Sequence, residues 1–158
     1  MNAFILLLAL LFMPLVAGDA HQGIRVVDSV DVLSPRDEAA HAFVGEETQV
    51  GETAGSTWRT ATGWFSYSLR IYDDSPLTLV FVLAAGSGDR ETFDILVDGT
   101  KVATVDREAD RQKAEEAKVD VRFAQTKGKV SVTVKVQAHA GSRTARVLEV
   151  RTVQEHLE

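Results

Sequence analysis

The chain has 158 residues and no cysteine, with 17 Lys+Arg against 23 Asp+Glu and a formal net charge of −6. A disulfide framework, a thiolate metal site and a cysteine nucleophile are therefore excluded. The acidic balance argues against a nucleic-acid binder, because phosphate contacts need a basic surface.

The 45% hydrophobic content is unevenly spread. All of the first 17 residues are apolar except Asn2 and Pro14, and the remaining 141 are about 40% apolar, an ordinary globular value. Ala3 to Val16 is a nearly unbroken apolar run. It is short of the roughly 20 residues a membrane span needs. The small residues Ala17-Gly18-Asp19-Ala20 come next, as in a secretory signal peptide cleaved after Gly18 or Ala20. We read residues 1–20 as a signal peptide and 21–155 as one β-sandwich module, with an uncleaved N-terminal anchor as the alternative. An exported chain without cysteine points to a bacterial envelope, periplasmic or secreted.

Period-two alternation dominates the chain beyond residue 20, as in half-buried strands. Ile24 to Val32 would place Ile24, Val26, Val30 and Val32 on one side. Ser34-Pro35-Arg36-Asp37 reads as a turn, and residues 33–62 as a long loop with a short edge strand near Ala42 to Val44. Gly63 to Ile71 puts Phe65, Tyr67, Leu69 and Ile71 on one face, with Trp64, Ser66, Ser68 and Arg70 on the other. Leu77 to Ala85 is apolar on both faces and reads as a central strand. Phe93, Ile95 and Val97 alternate up to Asp98-Gly99, a two-residue hairpin signal, and Lys101 to Val105 returns. Arg107 to Ala117 has helix-forming composition but no apolar stripe, so it reads as a short helix or a charged loop. Val119, Val121 and Phe123 alternate, as do Val130 to Val136; Thr144 to Val153 is the last strand. Eight or nine short strands predict an all-β antiparallel sandwich of jelly-roll type.

No catalytic motif emerges. His21, His41, His139 and His156 are scattered, no Gly-x-Ser-x-Gly elbow exists, and Gly86-Ser87-Gly88-Asp89-Arg90 lacks the P-loop lysine. The acidic turns Asp73-Asp74 and Asp89 to Glu91 would offer carboxylates to a structural Ca²⁺, without EF-hand spacing. No cofactor is otherwise implied. The tryptophans are the better lead. Trp58 lies in a Ser/Thr-rich stretch, and Trp64 falls on the polar face of its strand. Exposed indoles beside Arg and Asp suit sugar rings, whose C–H faces meet the π-cloud; the alternative is that both are core residues.

A family resemblance runs through Arg25-Val26-Val27-Asp28-Ser29-Val30, Trp58-Arg59-Thr60-Ala61-Thr62-Gly63-Trp64-Phe65-Ser66-Tyr67 and Gly88-Asp89-Arg90. It continues through Phe93 to Thr104 and Val132 to Ser142. Their order and spacing resemble the C-terminal β-sandwich module of bacterial family-127 glycoside hydrolases, the β-L-arabinofuranosidase-like proteins. The resemblance implies an accessory, non-enzymatic module without the family's catalytic domain and its cysteine-rich zinc site. Its expected ligand is a plant-type, arabinose-containing polysaccharide or oligosaccharide. Trp58 and Trp64 would stack, and Arg59, Asp89, Arg90 and His139 would hydrogen-bond hydroxyls. The alternative is a structural module docking on a glycoside hydrolase or another envelope protein; a small glycosidase is the third reading. Neither a nucleic-acid partner nor a membrane span after leader cleavage is expected.

Overall fold

The computed structural model describes residues 23–32, 34–108 and 112–156, so the leader reading lies outside the described residues. Nine strands and two short helices make up this part. The strands are β1 (Gly23–Asp31), β2 (Val44–Thr53), β3 (Ser56–Arg70), β4 (Leu77–Leu83) and β5 (Glu91–Val97). They continue with β6 (Thr100–Arg107), β7 (Glu115–Val121), β8 (Ser131–Ala138) and β9 (Val147–His156). The helices are α1 (Pro35–Ala40) and α2 (Phe123–Thr126). The pairings between these strands are antiparallel.

The strands divide into two layers. One runs β6-β5-β8-β3-β2 and the other β7-β4-β9-β1. They are joined where the lower end of β3 meets β9 through the pair Arg59↔Val147. The alternating apolar residues of both layers converge on one core: Phe65, Tyr67 and Leu69 with Phe93, Ile95 and Val134 from the first, Leu79, Phe81, Val121 and Val150 from the second. This is the expected β-sandwich, with the inner faces interdigitating. The Asp98-Gly99 turn forms as predicted, with φ of 49° and 81°.

Four local expectations are corrected. Residues 33–62 are not a long loop: they hold α1 and most of a β2–β3 hairpin. Ser34 caps α1, its hydroxyl accepting from Asp37 N at 3.1 Å, with Pro35 in the first turn. Ile24 and Val26 face solvent, at 74% and 54% exposure. A register shift between Val26 and Asp28 reverses the phase of β1, so Asp28 and Val30 are buried instead. Over 107–117, β6 runs to Arg107 and β7 starts at Glu115; residues 108 and 112–114 are outside any helix, as in the charged-loop reading, and 109–111 lie outside the described residues. Phe123 begins α2 rather than extending a strand.

Buried ion pairs explain two of these departures. Arg107 is held by Glu91 at 2.5 Å and Glu115 at 2.7 Å, and donates to the Ala84 carbonyl at 3.0 Å. It therefore ties the edge strands of the two layers together, which favours strand ends over a helix there. Glu38 of α1 takes both Nε and Nη2 of Arg59 at 2.8 and 2.7 Å, and accepts from the Tyr67 hydroxyl at 2.6 Å. Such charges are tolerated inside only because each is paired and hydrogen-bonded.

Candidate functional site

Register and alternation together build a polar surface on the outer face of the β6-β5-β8-β3-β2 sheet. Directly paired residues in an antiparallel sheet point to the same side. Glu46 pairs with Trp64, Trp64 with Gln137, Gln137 with Asp94, and Asp94 with Thr104. One row of side chains thus crosses all five strands. The next row is Ser66, Lys135, Leu96 and Lys101. With strands about 4.8 Å apart, Trp64 and Asp94 stand about 10 Å from each other.

Trp64 is half-buried in this surface. Its Nε1–H donates to Glu46 Oε2 at 3.1 Å, and the Lys135 ammonium lies 4.2 Å from the ring centroid. Asp94 gathers the other end of the row. Its Oδ1 accepts from Thr104 Oγ1 at 2.5 Å and lies 3.0 Å from His139 Nε2, while Lys101 Nζ stands 3.7 Å from Oδ2. Burial works to raise the Asp94 carboxyl, but the Thr104, His139 and Lys101 contacts outweigh it and hold it below the usual carboxylate range. Beyond it, Asp106 accepts from Thr92 Oγ1 at 2.7 Å, and Arg90 reaches Asp106 at 3.4 Å. The Thr92 hydroxyl bond leads in lowering Asp106, with Arg90 adding to it.

Three of the six predicted residues, Trp64, His139 and Arg90, therefore share one face. Asp89 sits beside them on the β4–β5 loop, 2.8 Å from Arg143. Trp58 and Arg59 are elsewhere, and both are 7% exposed. Trp58 lies across from Gly51, so close that a Cβ there would overlap the indole. The Arg146 guanidinium sits 4.5 Å from the ring centroid, and Nε1–H donates to Thr53 Oγ1 at 3.0 Å. Arg59 is spent on Glu38, Thr48 and the Phe43 ring, 4.0 Å from its centroid. Neither side chain is free to meet a sugar.

Sequence reasoning missed Asp94, Thr104, Lys135 and Gln137. Alternation sets Asp94 and Lys135 opposite the apolar residues of their strands, but only the register aligns these four side chains with Trp64. In the second acidic turn Glu91 is paired with Arg107 and Asp89 with Arg143. Among the described residues no group of three or more His, Asp or Glu gathers that could hold a metal ion. Among them, too, no helix is long and apolar enough to cross a membrane.

The fold recurs in solved carbohydrate-binding modules. A family 35 module from Cellvibrio japonicus Abf62 aligns with a TM-score of 0.59 at 13% identity, over 82% of this chain and 96% of that one. A family 35 module from Clostridium thermocellum aligns at 0.56 and 12%, over 82% and 97%. A family 36 module, in complex with calcium and xylotriose, aligns at 0.52 and 12%, over 78% and 98%. The chain spans 28% of the exo-β-1,3-galactanase from Phanerochaete chrysosporium that it also resembles. At these identities the likeness establishes the fold. No curated protein matches the sequence. The model of a family of unknown function, DUF6805, matches residues 24–153, so the chain belongs to that family.

Proposed function

We propose that this chain is a non-catalytic carbohydrate-binding module whose saccharide lies across the outer face of the β6-β5-β8-β3-β2 sheet. The observation that carries the reading is the row Trp64–Gln137–Asp94–Thr104, an indole continued by polar side chains in register. A sugar ring would stack on Trp64 in place of the Lys135 ammonium, and the released lysine would serve a hydroxyl. Gln137, Asp94 and His139 supply further donors and acceptors, with Arg90 at the far end. The shared fold with family 35 and 36 modules supports the same reading.

The finer parts of the proposal rest on the resemblance to the family-127 accessory module. They are an exported bacterial protein, an arabinose-containing ligand and a glycoside hydrolase acting alongside it. The test is isothermal titration with arabinan and arabinogalactan oligosaccharides. Binding that disappears in Trp64→Ala supports the site. No heat at millimolar sugar, or full binding by Trp64→Ala, overturns it.

One observation favours docking on a protein instead. Ile24 and Val26 are exposed, and Val26 pairs with Val153 on the outer side of the second sheet. Under that reading, Ile24→Ser/Val26→Ser would abolish co-elution with the hydrolase while leaving sugar titrations untouched.

A further inference from the structure

His41 closes α1, and its side chain is 13% exposed. Its Nδ1 lies 2.7 Å from the Asp37 carbonyl oxygen, and its Nε2 lies 3.3 Å from Asp28 Oδ1. Both neighbours are acceptors. A neutral imidazole carries one N–H and one lone pair, so it would turn that lone pair on an oxygen. Only the imidazolium donates to both. Two carboxylates meet the ring, Asp37 from α1 at 3.4 Å from Nδ1 and Asp28 from β1, and the Arg70 guanidinium from β3 stands 3.3 Å from Asp28 Oδ1.

This cluster fastens a crossing segment. The His41 carbonyl accepts from Ser68 N at 2.7 Å, extending the edge of β3 beyond the start of β2. Asp37 Oδ2 accepts from Asp31 N at 2.7 Å, and Asp28 Oδ2 from Arg70 N at 2.8 Å. Two residues after His41, Phe43 packs on Tyr67 with ring centroids 5.7 Å apart. We propose that His41 is a protonation-dependent latch, holding α1 and the head of β2 against β1 and β3 as an imidazolium and loosening them when the ring loses its proton.

The surroundings set the sign. Burial pushes His41 down, but the Asp37 carbonyl bond and the Asp28 and Asp37 charges outweigh it, and the ring is raised above its ordinary 6.5. A raised histidine contributes stability that is complete below its unfolded value and lost as pH rises through the folded one. For Asp28, burial raises, but the Arg70 and His41 bonds prevail and lower it, so its contribution is lost as pH falls through the folded value. The latch is tightest between the two.

The experiment tracks the His41 imidazole by two-dimensional NMR across pH, together with amide exchange protection at Ser68 and Asp31, corrected for intrinsic rates. The ring should titrate above 6.5, with both nitrogens protonated below its midpoint. Ser68 and Asp31 protection should fall as pH rises from 6.5 through that midpoint, about tenfold for each unit of elevation. His41→Gln should flatten the profile. A ring titrating at or below 6.5, or unchanged protection at both amides through its titration, overturns the proposal; the wild-type titration decides it even where the variant fails to fold.

Discussion

Trp58 and Trp64 stand six residues apart on β3, and their surroundings make them different residues. Trp58 faces Gly51, whose missing side chain lets the indole lie on the opposite backbone, and Arg146 closes the other side. Trp64 pairs with Glu46, which accepts from its indole N–H, and with Gln137 on the other side, and a flexible lysine covers the ring. The same division separates Arg59 from Arg90. Arg59 is locked between Glu38 and Phe43, whereas the Arg90 side chain is exposed and bonded to the Thr92 and Asp106 side chains. The first half of β3, around Trp58 and Arg59, therefore buries both side chains, whereas the second half fills the core with Phe65, Tyr67 and Leu69 and turns Trp64 outward. Residue type does not distinguish them; the partner across the strand does.

The largest effect that would break this contrast lies in the first half. Glu38→Gln leaves Arg59 as a buried charge with half its support, and should cost about 3–5 kcal/mol, read as a fall in the denaturant midpoint. A loss under about 1 kcal/mol would mean that the pair behaves as a solvated one. Gly51→Val forces the Trp58 indole off the backbone and should cost about 1–3 kcal/mol, with a red shift of tryptophan emission as the ring meets water. On the second half, Trp64→Ala should cost about 1 kcal/mol or less, since it removes a half-exposed ring and one cation–π contact, yet it should abolish saccharide binding. Lys135→Ala sharpens the contrast further: with the ring uncovered, acrylamide should quench tryptophan fluorescence more strongly, and stability should hardly change.

The sandwich was largely legible in the sequence because alternation is a local signal, and Phe65, Tyr67, Val132 and Val134 obey it. The Asp98-Gly99 turn was legible for the same reason. Where the chain departs from strict alternation, the reading failed. The shift between Val26 and Asp28 turned Ile24 and Val26 outward, and Arg59, Thr60 and Glu38 are polar residues buried by pairings between segments far apart in the chain. The surface was legible only in pieces. Trp64 could be placed on an outer face, but Asp94 and Thr104 lie on strands whose register with β8 and β6 no single segment encodes.

The most direct measurement exploits the two indoles as separate reporters. Each tryptophan gives one Nε1–H resonance, and both can be monitored while a short arabinogalactan oligosaccharide is titrated into the protein. The Trp64 resonance should move and saturate, accompanied by the side-chain amide of Gln137, while the Trp58 resonance stays in place. Movement of Trp58 alone, or no movement of either at millimolar sugar, would contradict the proposed site.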